Sequence, residues 1–199
     1  MTPFDTFPAL VALAVATLFT PGPNNAMLAT SGANFGFRRT LPHLFGVATG
    51  FPVMLLAVGL VLGGLFQTSA ALRETLRWGG AILLLWLAWK IANSGGIGSK
   101  SATARPMRYF EAVGFQWINP KAWSMAVAAT SQFILPSAPL PSATVVTVVF
   151  LCLGLLSAAT WTYGGQTIAR WLTTAKRLKA FNLVMAALIV LSVVEILRH

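Results

Sequence analysis

Acidic residues are nearly missing from this 199-residue chain, which has four of them against fourteen lysines and arginines and a formal net charge of +10. Charged residues of both signs make up only 9% of the sequence, where a soluble globular protein carries about 25%. With so few carboxylates and only two histidines, His43 and His199, the chain has no donor set suited to hard or borderline metal ions. The single cysteine, Cys152, lies in an apolar run. That excludes an intrachain disulfide, a paired-cysteine metal cluster and dithiol redox chemistry. No serine–histidine–acid set stands out, and no metal or cofactor is expected. The first charge is Asp5, so the amino terminus has no basic segment and a cleaved signal peptide is not expected.

What is present is apolar. Hydrophobic residues make up 56% of the chain and the mean hydropathy is +0.74, the composition of a polytopic protein in a lipid bilayer. The length allows about six spans of ~20 residues and no separate soluble domain, so residues 1–199 read as one transmembrane domain. The basic excess suits membrane topology, in which lysine and arginine gather on one side, and no nucleic acid is expected as partner.

Apolarity and punctuation place spans at about 7–35, 41–66, 76–93, 110–135, 143–168 and 178–197. Pro42 suits the first turn of the second span, and Pro52 is a site for a kink. Polar residues 67–74 read as a turn, as do Pro136, Pro139 and Pro141 together, and the basic segment 170–179. Residues 94–108 form a glycine-, serine- and base-rich linker. The second span carries Gly46, Gly50, Gly59 and Gly63, two pairs at i, i+4 that serve either close intrachain packing or a homodimer. With both termini outside, ten of the fourteen basic residues fall on the cytoplasmic side, three outside, and Lys121 on neither. That asymmetry favours six spans and outward termini.

Two of these spans are interrupted midway, at Thr20-Pro21-Gly22-Pro23-Asn24-Asn25 and at Ile118-Asn119-Pro120-Lys121. Proline stops a helix at the residue before it, and broken backbone survives in hydrocarbon only where it lines protein or a polar cavity. The first span of each half is broken, and the two run in opposite directions. The expected fold is therefore all-α, six transmembrane helices as a 3+3 inverted repeat (repeats of about 1–93 and 109–199) with broken first and fourth helices.

Each break makes two half-helix ends near the midplane. An N-terminal end offers free amides and a partial positive charge to a carboxylate; a C-terminal end offers carbonyls to an ammonium. Facing breaks thus suit a zwitterion, and a small amino acid is the expected substrate. Pro21, Gly22, Pro23, Asn24, Asn25, Asn119, Pro120 and Lys121 are the candidate binding residues, with Asn119 as a helix cap. Lysine at the bilayer centre costs ~2.5–3.5 kcal/mol on insertion scales, so Lys121 should face a cavity. Its partner is a substrate carboxylate or Glu111, or else backbone carbonyls at the broken helix. Trp117, Trp123 and Gln116 are candidates for a cavity wall. Glu111 is a candidate for coupling that reads more simply as interfacial, as do Asp5 and Glu195. Thr20, Asn34, Ser131, Gln132 and Asn182 line a polar path or serve interhelical hydrogen bonding.

At these residues the chain resembles the LysE/RhtB family of amino-acid exporters. The likeness rests on residues 20–25, Ser31-Gly32-Ala33, Gly36-Phe37-Arg38, Gly46 to Gly50, Trp78-Gly79-Gly80-Ala81, residues 86–92 and Asn119-Pro120-Lys121, and extends over essentially the whole chain. Within the family it is most similar to the cysteine and O-acetylserine exporters. The resemblance implies export of small neutral amino acids across a bacterial inner membrane, driven by antiport of protons. Many relatives have aspartate directly after proline-glycine-proline. Here the residue is Asn24, which cannot carry a proton, so any coupling falls to Glu111, Lys121, another site or the substrate. A passive facilitator or an exporter of another small solute is the alternative; a membrane-embedded thiol redox protein is disfavoured by the lone cysteine.

Overall fold

The computed structural model describes residues 6–62, 68–93 and 105–198. Among the described residues the chain is helical and contains no strand. The helices are α1 (Phe7–Phe19), α2 (Pro23–Phe35), α3 (Phe37–Ala57, continued by one π-helical turn over Val58–Leu62), α4 (Ala70–Ala92), α5 (Tyr109–Ile118), α6 (Pro120–Phe133), α7 (Pro139–Ala169) and α8 (Ala175–Arg198).

Every expected span coincides with a helix or with a broken pair. Among the described residues, three helices can cross a bilayer by length and apolarity alone (Phe37–Val61, Pro139–Ala169 and Ala175–Arg198), and a fourth span is formed by α1 and α2 together, bent by 54°. The remaining two expected spans fall short of that measure. Helix α4 carries Arg73, Glu74, Arg77 and Lys90 with three tryptophans, and α5 and α6 have only 10 and 14 residues.

Several expected boundaries move. Pro42 and Pro52 both lie inside α3, which begins at Phe37. Arg73 and Glu74, expected in a turn, belong to the first turns of α4. Pro139 and Pro141 open α7, where a missing amide is harmless. Lys176, Arg177 and Lys179 lie on α8. Gln67, Gly63 and residues 94–104 of the linker fall outside the described residues.

The two halves interlock. Helix α2 packs on α7, α5 on α3, α3 on α7, and α4 on α8. The α2–α7 contact is close enough that a methyl on Gly32 would strike the Thr162 carbonyl, and one on Gly165 the Ala29 carbonyl. Gly46 and Gly50 likewise face Tyr109, Ala112 and Val113 of α5, so this glycine pair serves intrachain packing. The Phe37 amide donates to Gln166 Oε1 at the same end of the bundle. That end carries Arg38, Arg39, Arg105, Arg108 and Arg170.

The buried core follows this arrangement. One cluster joins Leu10, Phe51, Met54, Trp123 and Phe150 around α1, α3, α6 and α7. A second joins Met27, Leu84, Phe115 and Ile189 around α2, α4, α5 and α8.

Candidate functional site

At the first break, Thr20 and Gly22 are extended, and Pro23 occupies the first turn of α2. The carbonyls this frees at the end of α1 are met by side chains. Asn25 Nδ2 donates to Leu18 O and to Thr20 O, each at 2.8 Å. Ser157 Oγ, from α7, donates to Leu18 O at 2.7 Å. Thr20 Oγ1 donates back to Thr17 O. The N-terminal end of α2 has no side-chain cap; neither asparagine after Pro23 caps it, because Asn25 is turned toward α1.

At the second break, Asn119 is the expected cap: its side chain accepts from the Lys121 amide at 3.2 Å. Trp123 Nε1 donates to the freed Trp117 carbonyl at 2.8 Å, and the two indoles meet edge to face at 6.2 Å. Pro120 lies against Gly80 of α4, where a methyl would collide with its ring.

The breaks touch through two side chains. Lys121 Nζ donates to Thr20 Oγ1 at 3.0 Å and to Pro21 O at 3.2 Å, placing a cation at the negative pole of α1. Asn24 Nδ2 donates to Gln116 Oε1 at 2.9 Å, and Gln116 Nε2 donates back to Asn24 Oδ1 at 3.4 Å. Gln116 and Asn119 are fully buried.

Two cavities meet at Lys121. A small one of about 50 Å³ lies between the breaks, walled by Gly22, Asn24, Asn25, Asn119, Phe51 and Ser157 among others. A larger one of about 480 Å³ lies on the far side, away from the basic end, walled by Arg73, Glu74, Arg77, Trp123, Ser124 and Ser192 among others. Lys121 belongs to both walls.

Most of the expected site residues are thus brought together: Gly22, Pro23, Asn24, Asn25, Asn119 and Lys121 surround the inner cavity, and Pro120 and Trp123 the outer one. Pro21 contributes its carbonyl. Glu111 is not brought in. It sits in the first turn of α5, paired with Arg105 through bonds of 2.5 and 2.7 Å and accepting from the Arg108 amide at 2.8 Å. Of the candidate partners of Lys121, Glu111 is taken by an arginine, and Lys121 bonds the Pro21 carbonyl and the Thr20 hydroxyl at the broken helix, the backbone alternative. Trp117 packs on Trp123 and is in neither cavity wall. Gln116, the other wall candidate, is in neither wall but holds Asn24 by a hydrogen bond, and Asn34, Ser131, Gln132 and Asn182 also lie outside both walls. Ser157 and Thr17 were not anticipated: each is a small hydroxyl in an apolar helix, a pattern that reads equally as interhelical hydrogen bonding.

The family model described as "LysE type translocator" matches residues 15–198. The chain belongs to the LysE family. Among relatives of this LysE-family protein, the cysteine/O-acetylserine efflux protein of Escherichia coli strain K12 is 32% identical over 181 residues, 90% of this chain and 91% of the relative. That of Klebsiella pneumoniae is 31% identical over 193 residues, 94% and 95% of the two chains. That of Salmonella typhimurium is 30% identical over 181 residues, 90% and 91%. No solved structure matches the chain significantly. Family and apolar helices together make this a multi-pass membrane protein of translocator type.

Proposed function

We propose that the protein exports small neutral amino acids or their derivatives, of the cysteine and O-acetylserine type, across the bacterial inner membrane, with the substrate bound between the two breaks. The observation that carries this reading is the contact of the breaks. A cation and an uncapped helix N-terminus, which suit a carboxylate, converge with the carbonyl end of α1, which suits an ammonium, beside a cavity. The names of the relatives support the same substrate class. In this reading the carboxylate docks at the start of α2 beside Lys121.

The architecture belonging to this function is a single domain of six spans in a 3+3 inverted repeat. Supporting it, the broken helix of each half packs on the middle helix of the other, and the third helices pack on one another. The basic end faces the cytoplasm and both termini lie outside. On that orientation the cytoplasmic end is closed by the α2–α7 contact. The cavity of about 480 Å³ then lies on the outer side, within the size range of small-ligand sites. Export is coupled to protons that do not ride on residue 24, since Asn24 has none to give.

The test is counterflow in proteoliposomes holding the purified protein. Labelled cysteine, O-acetylserine, homoserine, threonine and lysine are compared with and without a pH gradient. Saturable exchange of a small neutral amino acid, accelerated by the gradient, is the expected result. Exchange indifferent to the gradient makes the protein a facilitator, and no exchange of any amino acid by folded protein removes the reading.

A further inference from the structure

We propose that the Lys121 ammonium is a tethered stand-in for the substrate's own ammonium, holding the carbonyl pole of the first break until a zwitterion displaces it. This rests on the amino-acid reading of the site and assigns the residue that restricts that site to zwitterions.

The acceptors at the end of α1 fall into two groups. Leu18 O and Thr20 O are held by Asn25 and Ser157, short side chains that are buried. Pro21 O and Thr20 Oγ1 are held by Lys121, whose ammonium sits on a flexible four-carbon stem. Only the second group can be vacated by a rotamer change. Those two oxygens, 3.2 and 3.0 Å from Nζ, already form an ammonium site, since an ammonium is what they bind.

The surroundings fit an exchange. The stem crosses Gly22, where a methyl would lie 2.7 Å from Nζ, so the absence of a side chain keeps its seat open. With Lys121 seated, the space between the breaks is about 50 Å³, far below the ~300 Å³ at which small-ligand pockets begin. The cavity on the other side of Lys121 is about 480 Å³, so the side chain that leaves its seat has a place to go. The uncapped start of α2 lies one residue from Gly22 and offers amides to a carboxylate.

The exchange then conserves charge at every pole. The incoming ammonium takes Pro21 O and Thr20 Oγ1; the released Lys121 ammonium pairs with the incoming carboxylate. A simple amine displaces Lys121 without bringing it a carboxylate. A simple carboxylic acid brings one but leaves α1 without a cation. A molecule carrying both groups supplies both.

The test is equilibrium binding to the purified full-length protein, under reductant, of cysteine, of cysteamine (cysteine without its carboxylate) and of 3-mercaptopropionate (cysteine without its ammonium). Wild type should bind cysteine at least tenfold more tightly than either analogue. In Lys121→Met the seat is empty, so cysteamine should bind at least tenfold more tightly than to wild type while cysteine weakens. Lys121→Arg should keep the wild-type order. Lys121→Gln, which keeps a polar chain without the charge, should shift cysteamine in the same direction by less and serves if the methionine variant does not fold. Cysteamine affinity unchanged or lowered in folded Lys121→Met or Lys121→Gln overturns the proposal. Failure of the wild type to bind any amino acid strikes instead at the substrate reading, because the gain in amine binding reports on the seat alone.

Discussion

Asn24 and Gln116 exchange side-chain amide hydrogen bonds across the two breaks, Asn24 donating at 2.9 Å and Gln116 at 3.4 Å. Gln116 is fully buried, so Gln116→Leu leaves Asn24 facing an apolar group, at a cost of roughly 1–3 kcal/mol for an unsatisfied partner. A lowered melting temperature with weakened transport is expected. Asn24→Asp keeps the size but adds an ionisable group, and Gln116 can turn its amide to donate to it. That variant should transport with a pH step that the wild type lacks, read as efflux rate from proteoliposomes across pH 5 to 8; coincident pH profiles would show residue 24 to be uninvolved in coupling.

Gly22 and Lys121 should act as one unit. A methyl at residue 22 would lie 2.7 Å from Lys121 Nζ and 3.1 Å from its Cδ, so Gly22→Ala pushes the ammonium off the α1 carbonyl end. In a Lys121→Ala background the same substitution meets nothing of that chain. The double-mutant cycle in transport rate should therefore be strongly non-additive. Additive losses would mean that Gly22 matters for some other contact.

Adjacent glycines on α7 give a sharper contrast. A methyl on Gly165 drives into the Ala29 carbonyl of α2, while one on Gly164 meets nothing within 4 Å. Overpacking of this kind costs typically ~1–3 kcal/mol. Gly165→Ala should lower the melting temperature and reduce transport, and Gly164→Ala should leave both near wild type. Equal behaviour of the two variants would show that the α2–α7 contact is not close-packed in the working protein.

The parts legible in the sequence were those written in local chemistry. Proline next to asparagine marked both breaks, and Asn119 caps α6 as its position implies. Long apolar runs marked every helix, although the edges of α3, α4 and α8 spread into residues that read as turns, because exposed helix ends tolerate charge. Partners were less legible. Lys121 could be assigned to an interior but not to Pro21 O, which is 100 residues away and offers only a backbone oxygen that no residue type advertises. The same holds for Asn24 with Gln116, 92 residues apart, and for Ser157 with Leu18 O, 139 residues apart. Asn25, a candidate binding residue in the sequence, closes the end of α1 through Leu18 O and Thr20 O, carbonyls that no residue type marks.

Cys152 is exposed on α7 and lies outside both cavity walls. Cys152→Ser should leave counterflow unchanged and yield a cysteine-free protein for labelling. Loss of transport in that variant would reopen a thiol role.

If export is proton-coupled as proposed, the position of Glu111 argues against its carrying the proton. Its carboxylate takes two bonds from Arg105 and one from the Arg108 amide, on the exposed side of the first turn of α5 and away from both cavities. A carboxylate held by a guanidinium at the surface stays ionised over the working pH range and has no reason to exchange protons with the site. Glu111→Gln keeps the shape and an acceptor for the Arg108 amide while removing the charge. Such an exposed pair is also screened by salt. Transport by Glu111→Gln, and its dependence on an imposed pH gradient, should match the wild type. If the gradient no longer accelerates exchange in this variant while exchange itself persists, the proton passes through Glu111, and the basic end must open far enough in the transport cycle to bring it into the path.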